Sequence, residues 1–210
     1  TLNKNTIPSM FLAGKKANEL GHIVLLDPVG AGASRLRTDT ANRLMQEVRF
    51  DAVRGNISEI KTLCTGSGST KGVDADAVDA VTEANLDDGV QLVKTFAQRA
   101  GCIVAVTGAI DLVSDGERCW CIRNGRAEMS RITGTGCQLS ALMTAFLVAN
   151  PDHKLDAAAA AVCMMGLAGE IGWANMQPGD GNSTYRNRII DAIFNMTGDA
   201  LEKGAKYELR

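Results

Sequence analysis

The chain of 210 residues is short of the features that mark metal clusters, disulfide scaffolds and membrane spans. It has two histidines, His22 and His153, isolated in sequence and near loop ends, and neither reads as a ligand. Six cysteines (Cys64, Cys102, Cys119, Cys121, Cys137, Cys163) form no C-x-x-C pair and no framework spacing, and a chain of this size needs no staples, so a reducing cytoplasm is expected. Lys and Arg number 22 against 24 Asp and Glu, spread without a basic stripe, which excludes nucleic acid and an anionic membrane surface as partners. No secretory signal opens the chain, and its most apolar stretch, residues 155–173, is interrupted by Asp156 and Glu170. A membrane span needs roughly 20 apolar residues free of such charges, so this stretch reads as a closely packed core helix with Met164 and Met165 as filling.

At 45% hydrophobic and 22% charged, residues 1–210 are expected to form a single globular domain, with no internal repeat and no linker. Helices alternate with short apolar strands, the pattern of a mostly parallel sheet covered by helices. Helices are expected over 8–20, 38–48, from about 58, over 85–99, from about 137, over the core stretch and over 183–201. Strands are expected over 22–27, 51–55 and 102–108. Residues 112–125, LVSDGERCWCIRNG, read as two alternating runs with turns at Asp115-Gly116 and Asn124-Gly125, hence antiparallel hairpins near one edge. Cys119 and Cys121 would share one strand face in the core, with Cys102 and Cys163 also core. The polar segment 66–70, GSGST, is a loop or flap candidate.

The densest chemistry lies in residues 132–142, ITGTGCQLSAL, where small and hydroxyl residues precede a helix. Gly134 and Gly136 let the backbone turn its amides outward, and a helix starting near Cys137 adds the positive end of its dipole, so residues Gly134, Thr135, Gly136 and Cys137 read as an anion hole. A tight strand-to-helix turn with nothing bound explains the same letters. Three further groups fall at the carboxyl ends of expected strands, where open α/β sheets bind their ligands. Asp27 precedes the glycine loop PVGAG, whose flexibility would let a substrate approach the backbone, and its carboxylate could orient a hydroxyl or a magnesium ion or merely cap the loop. Asn56 and Glu59 follow Arg54 as R-G-N-x-x-E and share the first turn of a helix, where Glu59 serves either chemistry or an N3 cap. Thr107-Gly108 ends a strand and offers a hydroxyl and an amide to a phosphate.

VLLDPVGAGASRLRT, VRGNISEI, VAVTGAID and ITGTGC, taken in order, resemble the hydroxyethylthiazole kinase family, of the ribokinase-like fold, along residues 1–173 at least. The resemblance implies a three-layer αβα ribokinase-like fold with a mostly parallel central sheet. It also implies ATP- and Mg2+-dependent phosphorylation of the primary hydroxyl of 4-methyl-5-(2-hydroxyethyl)thiazole, for thiamine synthesis or salvage, by a cytoplasmic homotrimer. By the same resemblance Arg54 and Thr107 match ATP-binding positions, Gly134 a thiazole-binding position and Cys137 the position beside the reactive hydroxyl. Asn56 and Glu59 match the N-x-x-E signature that organises metal and phosphate, and Asp27 an acidic position near them. Most ribokinase-like sugar kinases have Asp where this chain has Cys137, so the thiol is expected chiefly to position the alcohol. Family members carry an N-terminal segment with an H-x-I-T-N-like stretch and a thiazole-touching methionine, for which this chain has no counterpart; one or two βα units are expected upstream. Two other readings are a nicotinamide-nucleotide-hydrate dehydratase, which Cys137 in place of Asp opposes, and an inactive nucleotide- or thiazole-binding fragment.

Overall fold

A computed structural model describes residues 2–65 and 80–210, and their contacts gather into two units. The segment 66–70 read as a flap lies outside the described residues. One unit takes in the chain up to Gly108 with Leu112–Cys119; the other takes in Ala109–Asp111 with Trp120–Arg210.

In the first unit, helix α1 (Thr6–Glu19) begins where the Asn3 side chain accepts the amides of Asn5 and Thr6. Strand β1 is two residues, Leu25–Leu26, rather than the six expected. The Asp51 carboxylate takes the Val24 amide at 2.9 Å while the Asp51 amide donates to the Val24 carbonyl at 2.8 Å, so Asp51 holds the approach to the strand with one side-chain and one backbone bond. Helix α2 (Arg35–Glu47) starts three residues before its expected position because Ser34 caps it, accepting the Arg37 amide. Strand β2 (Ala52–Asn56) passes without a gap into α3 (Ile57–Thr65). Helix α4 (Leu86–Ala100) buries Leu86, Val90, Val93 and Ala97, a stripe at helical spacing, and ends at Gly101 in the left-handed region. Strand β3 (Ile103–Thr107) buries four successive apolar residues, as a strand covered on both faces must.

β1, β2 and β3 are parallel, with Leu25 beside Ala52 and Ala52 beside Ile103. β4 (Asp111–Ser114) runs antiparallel to β3. β5 (Cys119–Ile122) pairs, through its residues Trp120 to Ile122 in the second unit, antiparallel with β6 (Tyr207–Leu209), a strand the sequence reading did not anticipate. The strands are therefore mixed in direction rather than mostly parallel. A parallel return needs a crossover of a dozen or more residues, and three residues separate β3 from β4.

The second unit is built on α5 (Thr135–Ala149), α6 (Lys154–Ala174), α7 (Asn182–Asn195) and α8 (Gly198–Gly204). α6 is long and apolar enough to cross a membrane, yet 67% of its most apolar window is buried, as expected of a core helix. Met165 is buried and Met164 half-buried. Its glycines are spaces for neighbours: a Cβ on Gly166 would lie 2.7 Å from Asn124, and one on Gly169 would collide with Met129. The single helix expected over 183–201 is broken at Thr197, whose hydroxyl accepts the Ala200 amide and starts α8. Asn124-Gly125 is not a hairpin turn. Asn124 is 6% exposed and ties Gly204, Glu170 and Lys206 together, and a 3-10 turn, Ala127–Arg131, follows. Cys119, Cys121 and Cys163 are buried, while Cys102 is only half-buried.

Candidate active site

The first unit gathers charge at the carboxyl ends of its three parallel strands. Asp27 follows β1, Arg54 lies within β2 and Thr107 ends β3. Arg54 donates from Nη1 to Asp27 Oδ2 at 3.2 Å and from Nη2 to Thr107 Oγ1 at 2.9 Å. The ion pair is largely shielded, its side chains 13% and 17% exposed. Among the described residues the buried Nε of Arg54 has no hydrogen-bond partner. A buried donor left unmade costs about 1–3 kcal/mol, a cost that a ligand oxygen would relieve. Two candidates named from sequence, Arg54 and Thr107, are thus in direct contact, joined by Asp27.

The glycine loop after Asp27 is not the open cradle that the sequence suggests. Val29 donates its amide to the Asp27 carbonyl, Ala31 to Pro28 and Ala33 to Gly30. Gly30 donates to Glu59 Oε1 at 2.7 Å, and Gly32 to Thr38 Oγ1 at 2.8 Å. Every amide from 29 to 33 is therefore spent within the protein. The glycines are needed for shape: Gly30 and Gly32 have φ of 73° and 88°. Gly30 also lies beneath Arg37, whose Cδ is 2.8 Å from where a Cβ would be, and Arg37 donates to the Val29 carbonyl. Arg37 and Thr38 were not singled out in the sequence, where nothing but their place in the helix after the loop hints at this clasp.

Glu59 is 5% exposed. Its Oε2 accepts the Asn56 amide at 2.8 Å while Asn56 Oδ1 accepts the Glu59 amide at 2.9 Å, the reciprocal pattern of a capping box. Both carboxylate oxygens are thus taken by backbone amides, so of the two roles read for Glu59 the capping one is what this geometry displays. Burial foremost pushes its pKa up, opposed by the two amides. Among the described residues no cluster of three His, Cys, Asp or Glu side chains is placed to hold a metal alone.

The second unit offers backbone rather than charge. Gly134 caps α5 with φ of 98°, and the first amide to bond back along the helix is that of Gln138, to the Gly134 carbonyl. The amides of Thr135, Gly136 and Cys137 precede the first full turn and have no acceptor within it, the condition for an anion site. Cys137 is exposed on that turn. Two less accessible thiols differ: desolvation raises the half-buried Cys102 to about 12 and the buried Cys163 to about 11, each also facing an acidic group.

The geometry has counterparts among known proteins. The model of the hydroxyethylthiazole kinase family matches residues 1–199. A hydroxyethylthiazole kinase from Clostridium acetobutylicum is 52% identical over 208 residues, 99% of this chain and 76% of that protein. Another from Clostridium beijerinckii is 45% identical over 209 residues, covering 99% of this chain and 74% of that protein. The structure of the hydroxyethylthiazole kinase protein of Pyrococcus horikoshii OT3 superposes on the whole chain with a TM-score of 0.85 at 30% identity, using 74% of that chain. Pyridoxal kinase of Staphylococcus aureus, in complex with AMP-PCP and pyridoxal, has a TM-score of 0.60 at 17% identity, which shows a shared fold. These matches place the chain among kinases of this fold rather than the dehydratases also considered, and it belongs to the hydroxyethylthiazole kinase family.

Proposed function

We propose that the protein transfers the terminal phosphoryl group of ATP to the primary hydroxyl of 4-methyl-5-(2-hydroxyethyl)thiazole. The observation that carries this reading is Arg54, half-buried at the strand ends, held by Asp27 and Thr107, and with Nε still lacking a partner among the described residues. Phosphoryl transfer asks the protein mainly for positioning and for neutralisation of oxygen charge. Arg54 and Thr107 supply guanidinium and hydroxyl donors to the nucleotide. The amides of Thr135, Gly136 and Cys137 supply fixed dipoles that need no reorganisation when charge develops. Gly134 leaves the space in front of those amides free of a side chain, which suits a thiazole beside them.

Magnesium fits these donors when it arrives with the nucleotide. Asp27 would be the carboxylate that holds it, with Glu59 behind, because one or two carboxylates commonly suffice for Mg2+ beside a nucleotide. When bound, the metal offsets phosphate charge. Cys137 places the acceptor alcohol, and because the transition state is largely dissociative, removal of the hydroxyl proton contributes little to the rate. A cytoplasmic homotrimer belongs to the same reading, and sedimentation would report the assembly.

The test is a coupled assay of ADP release from Mg-ATP with and without the thiazole alcohol. Release that depends on the alcohol, with the phosphate ester recovered, supports the reading; nucleotide binding without release would leave a binding protein.

A further inference from the structure

We propose that Arg37 is a positioning residue for Asp27: its side chain lies across the loop after β1 and keeps the Asp27 carboxylate in place at the ends of the parallel strands. The inference rests on the reading of Asp27 as the carboxylate for the nucleotide's Mg2+ and names a group that keeps it there. Arg37 belongs to the first turn of α2, three residues after the Ser34 cap. From that turn it reaches back over the loop and donates from Nη1 to the Val29 carbonyl at 2.8 Å. The Val29 amide in turn donates to the Asp27 carbonyl at 2.9 Å, so a chain of hydrogen bonds runs from the guanidinium to the backbone of Asp27. The first of these bonds has a charged donor, which makes it roughly twice as strong as a neutral one.

The loop is shaped to receive this side chain. A Cβ on Gly30 would lie 2.8 Å from Arg37 Cδ, 3.4 Å from its Nε and 3.6 Å from its Nη1, so the end of the arginine covers the glycine. The next residue of α2 holds the far half of the loop: Thr38 Oγ1 accepts the Gly32 amide at 2.8 Å and donates to the Ser34 carbonyl at 3.1 Å. Two successive side chains thus hold the two halves of one loop, and of the pair Arg37 acts on the half beside Asp27. Asp27 Oδ2 itself meets Arg54 at 3.2 Å. The acid is therefore set from two directions, its carboxylate by Arg54 and the backbone behind it by Arg37.

Arg37→Met keeps a stem over Gly30 and removes the donor. Losing a group that orients a metal's ligand typically costs about 10–100-fold in metal affinity or activity, so the Mg2+ concentration for half-maximal activity is expected to rise about 10-fold. KM for ATP at saturating Mg2+ should stay within about twofold of the parent, because the guanidinium does not touch phosphate in this proposal. Arg37→Lys, with a stem and one donor, should recover most of the loss, and Thr38→Val, which frees Gly32 alone, should move the Mg2+ requirement by less than about threefold. Amide hydrogen exchange on the protein without nucleotide or metal is the second arm: Arg37→Met should lower protection at residues 29–31 while residues 139–149 of α5 keep theirs. A rise of about tenfold or more in KM for ATP at saturating Mg2+ would make Arg37 a direct phosphate contact and overturn the proposal. Equal effects of Arg37→Met and Thr38→Val on the Mg2+ requirement would do the same, since they would mark a general loosening of the loop. So would unchanged exchange at 29–31, whether or not the protein phosphorylates the thiazole alcohol. If Arg37→Met does not fold, Arg37→Gln, too short to cover Gly30 and reach Val29 together, carries both readouts.

Discussion

The two units place their polar groups by opposite means. The first uses side chains that are already engaged: Arg54 between Asp27 and Thr107, Glu59 between two amides, and a glycine loop with no amide left over. The second uses a helix start whose first three amides have no acceptor among the described residues, behind a glycine at φ of 98°. The contrast teaches that a glycine-rich loop is not by itself an anion cradle. GAG and GTG look alike as letters, and the deciding matter is where each amide goes. In the first loop local carbonyls, Thr38 and Glu59 take them; in the second the chain enters a helix directly and they stay available.

The comparison breaks most visibly at Arg54. Arg54→Ala removes the guanidinium and leaves Asp27 without it, and kcat/KM is expected to fall by about 10²–10³. Arg54→Lys should recover little, since one ammonium cannot reach Asp27, Thr107 and a phosphate as a planar fork does. Steady-state kinetics on purified variants decide this, and activity within a few-fold of the parent would show that the first unit holds no essential charge.

Thiol chemistry separates the units next. At pH 8 an alkylating reagent followed by mass spectrometry should modify the exposed Cys137 at least about tenfold faster than Cys102 or Cys163, whose thiols are held up at about 12 and 11 by burial. Saturating ATP and thiazole alcohol should slow labelling of Cys137 alone. Equal labelling of Cys102 would contradict its packing.

Gly134→Ala tests the backbone site. Open space surrounds Gly134, so the penalty is conformational, roughly 1–2 kcal/mol for a left-handed residue with a Cβ. A fall in denaturation midpoint together with a several-fold loss in kcat is expected, and a loss of stability with kcat intact would mean the α5 amides do not act. On the proposal that the thiol positions the alcohol, Cys137→Asp should keep or raise turnover and Cys137→Ser should keep part of it; complete loss in both would show that the sulfur itself is required.

The smallest effect is a slope. Glu59 has a raised pKa in the folded chain, chiefly from burial, against an ordinary value of 4.5. Its contribution to stability is therefore fully present below pH 4.5 and lost as pH rises through the folded value. Denaturant midpoints of the parent minus those of Glu59→Gln should decline between pH 4 and 7, and a rising difference would mean that the two amides outweigh desolvation.

Much of this protein is written locally. The stripe of α4, the alternation that buries Cys119 and Cys121, and the small-residue run of α6 follow from periodicity and composition, which depend on near neighbours. The approach of Arg54 to Thr107 was legible only as two residues at strand ends, since a separation of 53 positions hides a contact made by parallel pairing. β6 was not legible at all: three residues, YEL, carry little pattern, and they become a strand because β5 offers a free edge.

What the sequence determined by itself was the family, the order of most of its elements and the residue types at each strand end, because motif letters and hydrophobic period are local quantities. What only the tertiary structure decided was the use of each group: that Glu59 spends both oxygens on amides, that Asn124 is a buried tie, and that the loop after β1 is shut. Those outcomes depend on which donor meets which acceptor across tens of residues, and chain folding alone sets that pairing.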